Sequence, residues 1–461
     1  MTISIILVGS ILCVAAGCAV TSDYPECSAP TASTQRVRRE IRSISLDEWQ
    51  SIVTAMWAMK NETMASGVSR YGAAFRSYDY FVVKHAVAQT DTRGDQAHFG
   101  AHFITWHAAF VLEFENALLA IDPSIEALPY WDQTISEPSI FSETYFGVDP
   151  DSSTSYQVTT GKFAYWPIAS SFSLDDWSEY IANDTTVNFA GNPSGWLRGA
   201  TNLDTNAFST RYGGGAAWDA VQLTAATWWE CTTGSTYMTW EEWYWCIEGG
   251  NGVSIHSGPH REIGGTSGDN NGDFEDTVTS PNSPIFMFHH ANMDRNKMWW
   301  MIAHSDLNCT YYEYPLVDGG VSSPVGGGGG GGGPGGPQRR LDGYNLNEVA
   351  SSSWGFTSDD LGLSSAPILQ LTHADLICWM APATAVYNYD THVQCLLNQS
   401  ECNLIQAAGR PTEAGTGEGT TTGEGTTVSQ QKTPSGAHTA GLQMSFWPVL
   451  APGCLMPICG F

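Results

Sequence analysis

Apolar and polar positions follow a helical period in four stretches of the chain. From Ser45 to Lys60 the residues Trp49, Ile52, Val53, Met56 and Trp57 fall on one stripe of a 3.6-residue repeat. Ser45, followed three residues later by Glu48, supplies the capping-box signature of a helix start. Comparable patterns run through Tyr78 to Val87, Trp106 to Leu119 and Phe286 to His304, each aromatic and well filled on one face. Between about Gly147 and Glu242, Gly, Ser, Thr, Asn and Trp succeed one another with little period, which predicts long loops and short strands. The expected fold is mainly α: a helical bundle core with long loops and short β-strands around it.

The two ends of the chain read differently. Residues 1–19 hold an apolar run from Ile5 to Ala16 and then small residues at Gly17 and Ala19, the pattern of a cleaved secretory signal peptide. The run is shorter than the roughly 20 residues a membrane span needs. Four N-x-S/T triplets, at Asn61, Asn183, Asn308 and Asn398, agree with export and glycosylation. Cys27, Cys231, Cys246, Cys309, Cys378, Cys395 and Cys402 are available for disulfide bonds in an oxidising compartment, in a pairing that spacing does not reveal. A glycine-rich loop at 319–337 contains the unbroken run Gly326 to Gly333, which cannot pack a core. Residues 406–444, rich in Thr, Gly, Glu and Ser, read as a flexible stalk ahead of an apolar tail at 445–461. Small residues Ser435, Gly436 and Ala437, a polar spacer and that tail resemble a GPI-attachment signal; Pro448, Pro452 and Pro457 suit a tail that packs back on the domain.

Charge narrows the partners. Nineteen basic against 47 acidic residues give a net charge of −28, a field that repels phosphate backbones and anionic lipid headgroups. Nucleic acid is excluded as a partner on that ground. Charged residues make up only 14% of the chain and aromatic ones 12%, so most of it has the apolar area to fold.

The histidines carry the chemistry. His85, His98, His102 and His107 form one group, and His256, His260, His289 and His290 a second. Imidazole suits copper, zinc, iron and nickel, and two sets without thiolates or carboxylates are compatible with copper. His256 and His260 are four apart and so share one helix face. His289 and His290 differ by about 100° around a helix, which lets only one of them face a shared ion. His98 and His102 also have helical spacing, whereas Gly100 argues that His98 reaches in from a loop.

The segments YFVVKH ending at His85, AHFGAHFITWH ending at His107, HSGPHREIGG from His256 and PIFMFHHANMD ending at Asp294 resemble the two copper-binding motifs of the tyrosinase family, which includes catechol oxidases and molluscan haemocyanin units. The resemblance extends to Arg38 and Arg39, to ALPYWD at Ala127 to Asp132 and to Tyr387-Asn388-Tyr389, and covers a domain at about 36–390. It implies that the helical core holds two copper ions, one on His85, His98 and His107 and one on His256, His260 and His290. His102 and His289 then become neighbours of ligands, while His304, His373, His392 and His438 lie outside the motifs.

The implied activity is that of a secreted or cell-surface copper oxidase and monooxygenase converting phenols or o-diphenols to o-quinones with dioxygen. The alternatives are an oxygen-binding protein like haemocyanin and a wall-associated protein with a vestigial site. Glu248 and Ser257 are candidate catalytic residues, because an acidic residue and the residue after the first ligand of the second copper hold a water in some relatives. Ser257 stands where many phenol-hydroxylating members carry Asn, which favours diphenol oxidation over monophenol hydroxylation. Other departures are Ala108 in place of Arg, Ser283 in place of Asp, and Gln96 where some relatives have a cysteine cross-linked to the second histidine.

Overall fold

The computed structural model describes residues 36–89, 95–98, 100, 102–168, 208–214, 218, 223, 225–233, 240–248, 254–267, 270–277, 280–303, 350, 354–362, 370–380 and 385–390. All belong to one compact unit, Met1–Pro411. The expected signal peptide, glycine-rich loop, stalk and apolar tail, and the triplets at Asn183, Asn308 and Asn398, lie outside the described residues.

The four periodic stretches are helices: α1 (Leu46–Asn61), α3 (Tyr78–Ala88), α4 (His102–Ile121) and α7 (Ile285–Ala303). A shorter α2 (Met64–Tyr71) follows α1. Ser45 caps α1 by accepting from the Glu48 amide, yet only half of the expected capping box forms. The Glu48 carboxylate turns instead to Arg39, whose Nη2 donates to its two oxygens at 2.7 and 2.6 Å. A guanidinium is a stronger partner for a carboxylate than one backbone N–H.

At the centre of the bundle the one-sided pattern gives way. Every residue of α3 except Asp79 is buried, and every residue of α7 except Ile302. Helices covered on all sides need no polar face. α4 packs against α7, α1 and α8 (His373–Trp379). It is long and apolar enough to cross a membrane by length and composition, but it is a core helix, mostly buried inside the fold.

The region from Gly147 to Glu242 departs from expectation. Isolated bridges join Gln157 to Thr210 and Pro167 to Phe208, as loops with short strands would. Yet α5 (Ala225–Thr233) and the start of α6 (Trp240–Glu248) are helical. Their sequences have no clear stripe, because Trp228 and Trp243 pack into a core that surrounds them. A disulfide between Cys231 and Cys246, with Cα atoms 5.6 Å apart, ties the two helices together.

Strands are few. β2 (Thr266–Ser267) pairs antiparallel with β3 (Asn270–Asn271), and β1 (Arg36–Arg38) pairs parallel with β4 (Tyr387–Tyr389), Arg38 opposite Tyr389. That second pair delivers Arg38 to the interior. Its Nε donates to Glu115 of α4 at 2.6 Å, and its Nη1 to Asp294 of α7 at 3.1 Å and to the Tyr389 hydroxyl at 3.0 Å. Its guanidinium lies 3.6 Å from the centre of the Tyr387 ring. Burial opposes the charge on Arg38, but Glu115, the two tyrosines and Asp294 hold its pKa well above the ordinary value. Burial also pushes the Asp294 carboxyl up, and Lys297 and Arg38 outweigh it, so Asp294 titrates below its usual range.

One guanidinium thus joins both chain ends of the domain to the two helices that carry His107 and His290. Arg38→Met should leave these carboxylates short of a buried partner and destabilise the fold by about 3–5 kcal/mol. Urea denaturation followed by circular dichroism measures this; a loss below about 1 kcal/mol would show that Arg36 and Lys297 suffice.

Candidate metal centre

Each histidine group converges in the interior. His85 near the end of α3, His98 in the loop before α4 and His107 in α4 place their ring nitrogens within 4.8 Å of one another. Nε2 of His85 lies 3.1 Å from Nε2 of His98 and 3.3 Å from Nε2 of His107. Such spacings suit three nitrogens that share one ion about 2 Å from each.

His256 and His260 come from a short helical turn, Ser257–Pro259, that runs into a π-type turn, His260–Gly264. Their rings meet edge to face at 4.8 Å, as the four-residue spacing predicts. Pro259 is accommodated because it sits in the first turn, where its missing N–H costs nothing. The start of α7 adds His289 and His290 to this second group.

Hydrogen bonds decide which nitrogens are free. Nδ1 of His107 lies 2.8 Å from the Phe103 carbonyl, and Nδ1 of His260 lies 2.6 Å from that of Phe274. A carbonyl can only accept, so each Nδ1 carries the proton and each Nε2 the lone pair. His289 is arranged the other way. Its Nε2 donates to the His256 carbonyl at 3.2 Å, and its Nδ1 accepts from the Gln133 amide. Gln133 is oriented for this by Asn292, which donates to Gln133 Oε1 at 3.3 Å. His289 therefore has no lone pair left for an ion, and His290 remains. Burial, reinforced by the neighbouring imidazoles, pushes the pKa of His107, His260, His289 and His290 well below 6.5. These rings are neutral.

His102 does not join the first group. It opens α4 and stacks on His373 at 3.6 Å, with Thr105 2.7 Å from Nδ1 of His373. The helical repeat that would pair His98 with His102 does not reach back across Gly100.

The two groups face each other. His107 stacks on His290 with ring centres 4.3 Å apart and planes 15° from parallel. Phe103 lies 4.6 Å from His107 and 4.3 Å from His256, and Phe286 lies 5.2 Å from His85 and 4.1 Å from His290. Both phenylalanines touch both groups, a role that the sequence does not single out although Phe103 opens F-x-x-W-H. Of the six rings, His98 (7%), His256 (7%) and His260 (9%) keep a little exposure and the other three almost none. Beside His256, Glu248 Oε1 stands 2.6 Å from its Nδ1, a close contact not aligned as a hydrogen bond. The Ser257 hydroxyl faces the Glu248 carbonyl at 3.1 Å and Ser254 Oγ at 2.5 Å rather than the carboxylate.

Ala108 is buried, and farther along the same helix Glu113 makes an ion pair with the neighbouring α3. Lys84 of α3 reaches Glu113 of α4 at 2.7 Å, while Tyr80 donates to the same carboxylate at 2.5 Å.

Residues 75–303 match the common central domain of tyrosinase. The chain is 27% identical over 275 residues to a tyrosinase of Streptomyces lincolnensis, covering 58% of this chain and 83% of that one. It is 25% identical over 299 residues to a tyrosinase-like protein of Diaporthe leptostromiformis, covering 63% and 68%. A solved polyphenol oxidase from Thermothelomyces thermophila is similar at 21% identity and a TM-score of 0.46, covering 77% of this chain and 88% of that one.

The donor set fits two ions, each on three imidazoles. His98→Ala and His290→Ala should each release one copper of two, while His102→Ala and His289→Ala should keep both, with affinity lowered at most about 10- to 100-fold. Metal analysis after dialysis tells these apart; copper lost from His102→Ala and retained in His98→Ala would reverse the assignment.

Proposed function

The chain belongs to the tyrosinase family of copper oxidases, and from that premise we propose that it oxidises o-diphenols to o-quinones with dioxygen and hydroxylates monophenols slowly. The observation that carries this reading is the pair of buried three-imidazole groups turned toward each other, His85, His98 and His107 against His256, His260 and His290. Copper held there supplies the reversible change of oxidation state that links dioxygen to a phenol.

The protein's own contribution is positional. Backbone carbonyls of Phe103 and Phe274 set the tautomers of His107 and His260 so that Nε2 points inward. Phe103 and Phe286 wall the space between the groups with apolar rings and exclude water from it. The small exposure kept by His98, His256 and His260, against almost none at the other three, supports entry of a flat phenol from their side. Glu248 and Ser257 stand on that side.

A monophenol must lose its proton before its oxygen can bind a metal, and a diphenol, with a lower first pKa, needs less help. With its hydroxyl on the Glu248 carbonyl and Ser254, Ser257 is poorly placed to hold a water against the Glu248 carboxylate. A longer carboxamide would reach past those partners and offer two donors.

The signal-like N-terminus and the Cys231–Cys246 disulfide support export to an oxidising compartment, the cell exterior or surface.

Oxygen consumption with a catechol tests the activity, and a protein that binds oxygen without consuming it would refute it. The ratio of kcat/KM for a matched monophenol and diphenol tests the preference. That ratio should be well below one in the wild type and should rise in Ser257→Asn; a ratio near one, or no rise, removes Ser257 from the account and leaves the copper reading standing.

A further inference from the structure

The six rings differ in what lies behind them. His107 and His260, held in helical turns, lean on backbone carbonyls at 2.8 and 2.6 Å. His98 and His256 come from irregular backbone, one in the loop before α4 and one at the cap of a short turn. These two have a carboxylate behind Nδ1.

Asp95 is fully buried. Its Oδ1 accepts from the amides of Ala97 at 2.8 Å and His98 at 2.9 Å, and both of its oxygens lie 3.2 Å from Nδ1 of His98. Three contacts from one side chain thus fix both the backbone turn and the ring it carries. Glu248 presents Oε1 2.6 Å from Nδ1 of His256. Glu248 is anchored at the last residue of α6, and the His256 amide donates to the Ile247 carbonyl beside it at 2.8 Å.

We infer that Asp95 and Glu248 are positioning residues, one for each copper, which hold the two ligands that come from irregular backbone. The inference rests on the reading that His98 and His256 bind copper. A carboxylate on Nδ1 fixes the tautomer, keeps Nε2 directed inward and strengthens it as a donor. It also places a negative charge one ring away from the ion, which favours the more highly charged oxidation state. At His98 this restraint stands where some relatives use a covalent cross-link, the position of Gln96 here having no sulfur to form one. Hydrogen bonds to the Asp95 carboxylate would do the work of the bond.

The test uses the full chain stripped of metal and titrated with copper(I) alone against a competing chelator, bicinchoninate. Wild type should take up two ions. Asp95→Asn keeps a carbonyl oxygen for the two amides but loses the charge, and Glu248→Gln is its counterpart on a partly exposed residue. Each should weaken one of the two ions by about 10- to 100-fold and leave the other as in wild type. Each should also raise the copper(II)/copper(I) midpoint potential, a shift that damage to the fold alone would not produce. Thermal melting of the metal-free variants confirms that both fold. Two ions bound with wild-type affinity in both variants, or weaker binding with an unmoved potential, overturns the inference alone. Fewer than two ions in the wild type overturns the ligand reading, and the inference with it.

Discussion

Six imidazoles can face one another at contact distance inside a protein only if none of them is charged. Two like charges a few ångströms apart in a medium of low polarity would repel by several kcal/mol. Burial of His107, His260 and His290 secures neutrality, and the carbonyls behind His107 and His260 decide which nitrogen keeps the lone pair. The remainder of the fold follows from the need to keep that arrangement dry and still. α3 and α7 are buried on nearly every side because they carry His85 and His290, and a helix with a wet face would bring solvent to both.

Burying α3, α4 and α7 this deeply traps charges that cannot reach water. They are paired across the helices that matter. Arg38 takes Glu115 and Asp294, Lys84 takes Glu113, and Arg295 takes Asp132 at 3.1 Å. Replacing such pairs by apolar residues can be neutral or better for stability, so their value here is registry. Each joins α4 or α7 to another element and fixes how far one has slid along the other, and thereby where the histidines meet.

Much of this is legible in the sequence, and the failures share a cause. The helices show themselves wherever a stripe exists, as in α1. α5 does not, because Trp228 is buried by neighbours that lie elsewhere in the chain. The same holds at the site. His256 and His260 are correctly paired by spacing, since both lie on one continuous turn. Spacing fails for His98 and His102, which straddle the start of a helix, and only the family motif sets them apart. Between His289 and His290, periodicity says that one must turn away without saying which. The answer lies in Gln133, 156 residues distant, whose amide claims the lone pair of His289. Asp95 is invisible for a related reason: an acidic residue three before a histidine is commonplace until the turn that joins them is seen.

α4 has a consequence that concerns the chain before it folds. Twenty consecutive residues apolar enough to cross a bilayer are a hazard to any protein threaded through a translocation channel, which can release such a segment sideways into lipid. Glu113 and Glu115 sit close to the middle of that segment. An acidic side chain at the centre of a span costs about 2.5–3.5 kcal/mol, and two of them make lipid a poor destination for α4. In a chain that is exported, the carboxylates that receive Lys84 and Arg38 in the fold would disfavour lipid for this helix until those partners arrive.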